Sequence, residues 1–406
     1  MAKRKRDDVI ISPSSDLYIP QDVVQEILVR LAVKSLLRFK AVSKSWRSEI
    51  ESRLFQERYL RHQHKSRNPS ILVFDDDNDN NTISACVRTL SVGATSLSLE
   101  NHNTYHLHLQ PSTFIFPCVT NTGIRITESC DGLTCIYSTF LTYVINPATR
   151  WYRKVPESRC QARVKALMER DLIAIKERRV PQIKSFPALG FGKDNITGIY
   201  KLVWLWSSTY LNGDDQNNNT CEVFSFDSNN NTWNDVVVSC PAPVIHGMSP
   251  VHAHGSLHWL IDSLLETQLL SLDLHTETFT VVTNLPVAYS TIQRIAMCTL
   301  NNRLCLSEDK GEIQTIWSFN QDNMTWDNTY SINLRSTLSC IMDDGEYICS
   351  VPPITSLSDD RLLLYDFSDG EEKLVLYNYR LNSVSKFFKA PYSLDGISYY
   401  QSLVTL

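Results

Sequence analysis

The sequence predicts a mainly β protein with a small α-helical domain near its N-terminus. Two observations carry this prediction. Residues 19–50 form an apolar stretch with the periodicity of helices. After residue 68, short apolar segments alternate with turns rich in Asn, Asp and Gly up to the end of the chain. We therefore expect a three-helix domain followed by a six- or seven-bladed β-propeller, with one or two irregular β-sandwiches as the alternative for the second part.

Length and composition set the outer limits. The chain has 406 residues and 43% hydrophobic residues, which suits one small and one large globular domain. Its 11 cysteines are scattered without C-x-x-C pairs, and the start of the chain does not resemble a secretory signal. We expect reduced, buried thiols, no membrane partner, and a location in the cytoplasm and/or nucleus.

Charge is distributed unevenly along the chain. Residues 1–67 hold 15 Lys/Arg and 8 Asp/Glu, so the remainder holds 39 − 15 = 24 and 44 − 8 = 36. We predict that residues 1–16 form a disordered basic N-terminus. Within it, Lys3–Arg6 ("KRKR") is either a nuclear import signal or a solubilising tip. Zinc fingers and an aromatic RNA platform are missing from the sequence, so no nucleic-acid partner is expected.

The helical region begins at Pro20, a residue suited to a first helical turn. An apolar face follows at Val24, Ile27, Leu28 and Leu31, a second helix is predicted over "VKSLLRF", and Ser43 is a suitable N-cap for a third. Trp46, Ile50 and Leu54 recur every four residues in that third helix. So few short helices cannot cover all their apolar faces. Some of these residues are therefore expected to face a partner.

The long second part repeats a strand, a polar turn, and a Trp or Phe that opens the next strand. The clearest spacing, about 45 residues, separates Trp233, Phe279 and Trp326. A second element, a Gly- or Asn-bearing turn before an apolar strand, precedes several of these units. It occurs as "CDGLTCIYS", "AHGSLHWLI", "LNNRLCLSE" and "DDGEYICSV". Together the two elements make about four strands per unit, which favours a propeller.

Residues 157–184 interrupt this pattern. The segment is charged, lacks Gly, is rich in helix-forming residues, and ends at Pro181. We predict an inserted helix on the rim or a face of the propeller. Its cations, Arg163, Lys165, Arg178 and Arg179, are candidates for binding an acidic target. The alternative is a solvated loop without a role.

Residues 17–62 resemble the F-box of plant F-box proteins. The similarity lies in "LYIPQDVVQEILVRL" and "VKSLLRFKAVSKSWRSEI". Ala32 stands where the family usually has proline, and alanine permits the first helix to continue. The resemblance implies docking on a Skp-type adaptor, and through it on a cullin-based ubiquitin ligase. The adaptor contacts it implies are Pro20, Ile27, Leu28, Leu31, Leu36, Leu37, Phe39, Val42 and Trp46.

Residues 68–406 resemble the plant F-box-associated domain, which is kelch-like. The similarity rests on the order of "SCDGLTCIYS", "VINPATRWYRKVP", "CEVFSFDSNNNTW", "HGSLHWL", "LDLHTETF" and "YYQSLVTL". The resemblance implies a domain that recruits the target protein. The chain would then be the non-catalytic substrate receptor of an SCF-type (Skp-cullin-F-box) ligase.

Motifs for chemistry are scarce. His252, His254 and His258 suggest zinc, but Gly255 interrupts the strand and no cysteine or acid stands at ligand spacing. Nucleotide-binding glycine motifs and the G-x-S-x-G motif do not occur. We expect no metal and no cofactor. The alternative function is a propeller-based enzyme, for example a glycan-acting hydrolase, with the F-box as an assembly tag. Turnover without partners would favour it.

Overall fold

The computed structural model describes most of the chain. The described residues are 19–66, 69–77, 84–93, 106–117, 124–177, 186–207, 219–227, 231–238, 244–245, 248–262, 267–287, 295–310, 313–333, 351–358, 360–366, 373–389 and 395–406. The predicted disordered segment 1–16 lies outside them. All six cysteines with described surroundings, Cys130, Cys135, Cys160, Cys221, Cys298 and Cys305, are buried free thiols, as predicted.

The N-terminal region, hereafter the head, consists of four helices. They are α1 (Gln21–Leu28), α2 (Val33–Phe39), α3 (Lys44–Glu51) and α4 (Arg53–Ser66). The prediction of three helices was wrong by one, because the third does not continue to Leu54. Ser52 adopts an extended conformation, and its side-chain oxygen accepts a hydrogen bond from the backbone N–H of Phe55 at 3.2 Å. This break directs Leu54 to solvent instead of the Trp46–Ile50 side.

Two sequence signals at the helix starts behave differently. Ser43 caps α3, because its oxygen accepts from the N–H of Trp46 at 3.1 Å, as predicted. Ala32 does not let α1 continue, since that helix ends at Leu28. Instead Ala32 precedes α2 with φ −65° and ψ 147°. Proline adopts the same φ, so alanine gives the chain a conformation that proline would also allow at this position.

The core of the head is larger than its first three helices. It contains Leu28, Val29, Val33, Leu36 and Ile50 from α1–α3 and their connections, Phe55 and Tyr59 from α4, and Leu403 from the far end of the chain. Tyr59 donates a hydrogen bond to the carbonyl of Leu31 at 3.1 Å, and burial raises its pKa to about 12. The chain therefore needs no partner to form this core. Helix α4 and Leu403 complete it within the chain.

The remainder of the described chain forms six four-stranded antiparallel sheets. Sheet 1 combines β1 (Ser70–Asp77), β2 (Ser84–Gly93) and β3 (His106–Pro117) with β24 (Asp395–Tyr399). Sheet 2 holds β4 (Arg125–Ile126), β5 (Thr134–Tyr137), β6 (Thr142–Asn146) and β7 (Trp151–Lys154). Sheet 3 holds β8 (Leu189–Lys193), β9 (Tyr200–Ser207), β10 (Asn219–Ser225) and β11 (Trp233–Val236).

The other three sheets also use four consecutive strands each. Sheet 4 holds β12 (Val251–Ala253), β13 (Ser256–Asp262), β14 (Thr267–Asp273) and β15 (Phe279–Val282). Sheet 5 holds β16 (Ile295–Leu300), β17 (Arg303–Asp309), β18 (Ile313–Asn320) and β19 (Thr325–Asn333). Sheet 6 holds β20 (Pro353–Ser358), β21 (Arg361–Asp366), β22 (Lys373–Asn378) and β23 (Ser383–Lys389).

The sheets follow one another around a ring, since each neighbouring pair shares an apolar cluster. For example, Val203 of sheet 3 packs with Leu257 of sheet 4, and Ile71 of sheet 1 packs with Leu363 of sheet 6. Sheets 1 and 2 meet through Leu72 and Ile136. The first strands of successive sheets contact each other at the inside of the ring. This arrangement is a β-propeller, so the predicted mainly β fold with a helical head is confirmed.

The predicted six or seven equivalent units need a correction. Five sheets are built from four consecutive strands, whereas sheet 1 is composite and takes β24 from the end of the chain. The described residues do not form seven units. Residues 68–115 supply three strands rather than a complete unit, because the fourth position beside β1 is filled by β24. Strands from both ends of the domain thus close the ring.

The recurring turn motifs have a common geometry. Asp131–Gly132, His254–Gly255 and Asn301–Asn302 connect the first and second strands of sheets 2, 4 and 5, and all six residues have positive φ. Two successive left-handed residues fit the right-handed twist of a tight hairpin. The aromatic residues also pack across their hairpins as predicted, with 5.4 Å between the Phe224 and Trp233 rings. "DDGEYICSV" lies outside the described residues except for Val351.

A fifth helix, α5 (Arg159–Lys176), connects sheets 2 and 3. It confirms the helix predicted within 157–184. Ser158 and Gln161 form a capping box, and the fully buried Glu222 carboxylate accepts from the N–H of Cys160 at 3.2 Å and from Arg159 at 2.6 Å. Its buried side joins the cluster between the two sheets. The helix is therefore partly in the core, contrary to the expectation of a purely peripheral position.

We predict that the turn after β8 makes the fold sensitive to acid through Asp194. Burial opposes ionisation, but hydrogen bonds from the Thr197 side chain, the N–H of Ile196 and His275 lower the pKa of Asp194 to about 2. Because the folded pKa lies below its usual value of 3.8, the stabilisation is present above about pH 4 and is lost as pH falls toward 2. Asp194→Asn should lower Tm at pH 7, and the difference from wild type should shrink near pH 3. An exposed turn variant, Asp322→Asn, is the control. A difference that is constant with pH contradicts the prediction.

Candidate interaction surfaces

One side of α1 leaves apolar side chains in solvent. Val23 and Ile27 are exposed one turn apart on the same side of the helix, Ile19 is exposed two residues before the helix begins, and Ile27 retains 51% of its exposure. We call these three residues the α1 stripe. The adjoining Pro20 is exposed as well, and so is Val42 after α2. Exposed apolar groups of this kind mark interaction sites.

The predicted adaptor contacts divide into three groups in the structure. Pro20, Ile27 and Val42 are exposed. Leu31, Leu37, Phe39 and Trp46 are partly buried against the core, and the rings of Phe39 and Trp46 meet edge to face at 5.2 Å. Leu28 and Leu36 are core residues, with 1% and 0% exposure. Their assignment as surface contacts is corrected, because α3, α4 and Leu403 cover the side of the helices on which they lie.

Sequence reasoning missed Ile19 and Val23 as surface residues. The signal was present, since Ile19, Val23 and Ile27 follow an i, i+4, i+8 pattern. Periodicity gives the width of an apolar face, however, and not which edge of it the rest of the chain covers. In the structure, Ile27 lies on the exposed edge of this face, and the next residue, Leu28, lies on the edge that is buried in the core.

Polar contacts hold α1 in place behind its stripe. Gln25 donates to Glu49 of α3 at 2.7 Å, and Arg58 of α4 donates to Gln25 at 2.9 Å and also pairs with Glu26. These contacts lie on a different side of α1 from the stripe. A partner therefore meets a helix whose position is already fixed, which lowers the entropic cost of binding.

The head is packed against the ring. The rings of His64 in α4 and Tyr400 lie 4.2 Å apart, and Leu403 enters the core of the head. Asn146 holds this terminal segment by donating to the carbonyls of Ser402 at 3.1 Å and Val404 at 2.8 Å. A Cβ on Gly132 would stand 2.5 Å from the Ser402 oxygen, so this approach requires glycine. Head and ring are thus joined by specific contacts.

Comparison with known proteins agrees with this two-part architecture. The F-box domain family matches residues 17–57, and the family described as "F-box associated beta propeller domain" matches residues 85–405. The chain belongs to the F-box proteins with an F-box-associated β-propeller domain. The head is the F-box, with α4 extending beyond the matched range, and the ring is the F-box-associated propeller.

Relatives in Arabidopsis thaliana are similar over most or nearly all of the chain. An F-box/LRR-repeat/kelch-repeat protein is 36% identical over 394 residues, covering 96% of this chain and 97% of the relative. An F-box protein is 36% identical over 421 residues, covering 96% and 99%. Another F-box protein is 40% identical over 306 residues, covering 74% and 87%. The kelch-like character expected from the sequence agrees with the names of such relatives.

The F-box lies at one face of the propeller. Its helix α4 meets the turn between β8 and β9, since Arg53 stands beside Gly198, and it meets the segment that follows β24. The turn between β8 and β9 connects a first strand to a second strand. Because neighbouring strands are antiparallel, the connection between the second and third strands and the exit from the fourth strand lie at the opposite face of the propeller. That face receives α5, which connects the fourth strand of sheet 2 to the first strand of sheet 3. Connections between strands commonly carry binding residues.

The cations predicted to bind a target have different surroundings. Arg163 is exposed on α5. Lys165 is engaged, because its Nζ lies 2.7 Å from Glu157 and over the ring of Phe140. Arg178 and Arg179 lie outside the described residues, so their contribution stays a prediction.

The histidines considered for zinc have structural surroundings. His252 accepts a hydrogen bond from the N–H of Lys193 at 3.2 Å, His254 occupies the left-handed turn, and His258 contacts the carbonyl of Ala253 at 3.4 Å. Burial lowers the pKa of His252 and of His258. In the part of the chain that the structure describes, no His, Cys, Asp and Glu cluster is suited to a metal. None of the described helices is long and apolar enough to cross a bilayer.

Proposed function

We propose that this F-box protein is the substrate-recruiting subunit of an SCF-type ubiquitin ligase. The F-box docks on a Skp-type adaptor, which connects it to a cullin, and the propeller binds the protein to be ubiquitinated. The observation that carries the proposal is the α1 stripe, an exposed apolar surface on an F-box whose own core is already complete. A surface of this kind gains free energy when a partner covers it, about 1.5–3 kcal/mol per large apolar side chain.

The geometry suits a receptor that performs no chemistry of its own. The adaptor-facing F-box and the face of the propeller that receives α5 lie at opposite ends of one packed unit. The contacts of Asn146, Tyr400 and Leu403 hold these ends in a fixed relation. A target on the far face is then presented at a constant distance from the ligase. Positioning of this kind raises the effective concentration of the target.

The enzyme alternative lacks a supporting observation. Cys130 and His252 approach each other inside the ring, with 3.7 Å between Sγ and Nδ1. A catalytic pair of this type needs a thiolate and a basic imidazole. Burial instead raises the pKa of the Cys130 thiol well above its usual value and lowers the pKa of His252. Both shifts favour neutral, unreactive groups.

Reconstitution tests the proposal. The full chain, a plant Skp-type adaptor, a cullin and its RING subunit are mixed, and the assembly is analysed by size-exclusion chromatography with light scattering. We expect a stoichiometric complex that transfers ubiquitin to the chain itself or to a captured protein. A folded chain that fails to bind any of a panel of Skp-type adaptors would overturn the proposal.

We also propose that the protein acts in the cytoplasm and/or nucleus, and we predict that Lys3–Arg6 direct it to the nucleus. Importers bind short basic runs of this type. Deleting these four residues from a fluorescently tagged chain should lower its nuclear fraction, measured by microscopy. Replacement of the same residues by the sequence Lys-Arg-Arg-Lys, which keeps the charge, is the control. An unchanged nuclear fraction in the deletion variant would show that the segment is only a solubilising tip.

A further inference from the structure

The inference concerns helix α5, which is anchored along only one side. Cys160, Val164 and Leu167 are buried in the cluster between sheets 2 and 3, and Asp171 and Ala174 continue the same side. The anchor at its N-terminus is the buried Glu222 carboxylate. The helix is therefore held firmly on the ring, and its other side faces outward.

That outward side is apolar where the helix ends. Leu172, Ile173 and Ile175 are 58%, 54% and 55% exposed. Ala166 and Ala162 are exposed on the Ile173 side, about two and three turns earlier. Single exposed apolar residues are ordinary, but Leu172 and Ile175 are neighbours at i, i+3, and Ile173 lies about 100° further around the helix from Leu172, on the side of the alanines. Small alanine side chains on that side allow a second helix to approach closely.

Cations stand at both ends of this side. Arg163 and Lys176 are exposed, and neither forms an ion pair with a described residue. A separation of 13 residues along a helix corresponds to about 20 Å. Glu169 is an exposed acid between them. The chain after residue 67 is otherwise acidic, with 24 Lys/Arg against 36 Asp/Glu, so α5 offers cations where most of the surface repels an acidic partner.

We propose that the outward side of α5 binds an acidic amphipathic helix of the target protein. This inference rests on the proposed function as a substrate receptor. The apolar residues of such a helix cover Leu172 and Ile173, and its acidic residues meet Arg163 and Lys176. Nearly four turns of a helix match the roughly 20 Å between the two cations, and helix-in-groove recognition uses apolar anchors at i, i+3, i+4 and i+7.

A second copy of the chain fits this surface less well. Symmetric helix pairs are antiparallel when the twofold axis crosses the interface at right angles to the helices. Pairing centred between Glu169 and Arg170 would bring Arg163 of one copy against Lys176 of the other. Like charges in contact disfavour that arrangement. The same register brings Glu169 of each copy against Arg170 of the other, so self-association has attractive and repulsive pairs, whereas an acidic partner is attracted by both Arg163 and Lys176.

The test uses a displayed library of 20-residue helical peptides, selected on the full chain in complex with its Skp-type adaptor. The double variant Leu172→Asp/Ile173→Asp serves for counter-selection. We expect enriched peptides to carry Leu or Ile at i, i+3 or i+4 together with Asp and Glu. Fluorescence anisotropy with the synthesised peptides should show at least about tenfold weaker binding to the double variant, since each 1.4 kcal/mol is tenfold.

Charge variants give effects of opposite sign. Arg163→Glu and Lys176→Glu should each weaken peptide binding, and Glu169→Lys should strengthen it about two- to fivefold at low salt, where surface charges act most strongly. Ile196→Asp changes an isoleucine that is 75% exposed in the turn after β8, at the F-box face, and is the matched control. It should leave peptide binding unchanged.

Several results would overturn the proposal. They are enrichment of basic or neutral peptides, no enriched peptide that depends on α5, or strengthening by Arg163→Glu. Sedimentation that reveals a dimer dissociated by Leu172→Asp/Ile173→Asp would assign the surface to a second copy instead. All α5 variants should keep normal adaptor binding. Failure at α5 is thus distinguishable from failure of the proposed function, which would appear as lost adaptor binding in the wild-type chain.

Discussion

Val23→Asp combined with Ile27→Asp is expected to abolish binding to the Skp-type adaptor while the F-box and the propeller stay folded. Both side chains are about half exposed, so an aspartate at either position remains solvated in the free protein. In the complex the carboxylates would lose that solvation without gaining a partner. A cost of about 3 kcal/mol or more corresponds to a loss of at least about 100-fold in affinity. Titration calorimetry or surface plasmon resonance measures it.

The choice of residue decides what this experiment shows. Leu28→Asp is expected to prevent adaptor binding for another reason, because Leu28 is a core residue and a charge there unfolds the F-box. Near-UV circular dichroism and Trp46 fluorescence distinguish the two cases. The double variant Ile196→Asp/Val237→Asp, which makes the same changes at exposed positions of the propeller, is the control. Wild-type affinity in a folded Val23→Asp/Ile27→Asp protein would exclude the α1 stripe as the adaptor-binding surface.

Leu403→Ala is expected to destabilise the F-box although it lies far from it in sequence. Leu403 is 3% exposed and packs with the core residues of the head. Truncation of a buried leucine costs about 2–5 kcal/mol, which predicts at least about 30-fold faster amide exchange in the most protected residues of α1–α4. Hydrogen exchange with mass spectrometry measures this by segment. Sheets 3–5 should keep their protection.

A leucine on the surface provides the control for that experiment. Leu381 is exposed in the turn between β22 and β23, so Leu381→Ala should leave exchange unchanged throughout the chain. Addition of saturating adaptor should restore part of the protection lost in Leu403→Ala, because a partner that binds only the folded F-box stabilises it by mass action. Unaltered exchange around Tyr59 in Leu403→Ala would contradict the packing described for the head.

Local patterns in the sequence predicted local structure well. Ser43 capped α3 as expected, and the "DG", "HG" and "NN" turns formed hairpins, because both depend on residues within a few positions of each other. The insertion of a helix after sheet 2 was likewise readable from helix-forming residues. Helix α4 was missed as a separate element. Its sequence "RLFQERYLRHQHKS" is mostly polar, and only Phe55 and Tyr59 show the face that it buries.

Contacts between distant segments were not predictable in the same way. Nothing near Leu28 in sequence indicates that Leu403 and Tyr59 cover it, so the division between the core and the α1 stripe required the fold. The composite sheet 1 was also hidden, because β24 does not resemble the missing strand of any particular repeat. On α5, the sequence identified the cations but not the exposed Leu172 and Ile173, since apolar residues in a helix are ordinarily assigned to the core.

The position of residues 395–403 has a consequence for protein synthesis. Strand β24 completes sheet 1, and Leu403 completes the core of the F-box, yet the ribosome produces both after every other element of the domain. A nascent chain therefore carries an F-box without its full core and a ring without closure until residues 395–403 have been synthesised. The F-box, although it precedes the propeller in the sequence, reaches its final stability only after this segment has been released. A messenger truncated before codon 395 would yield a protein that lacks both.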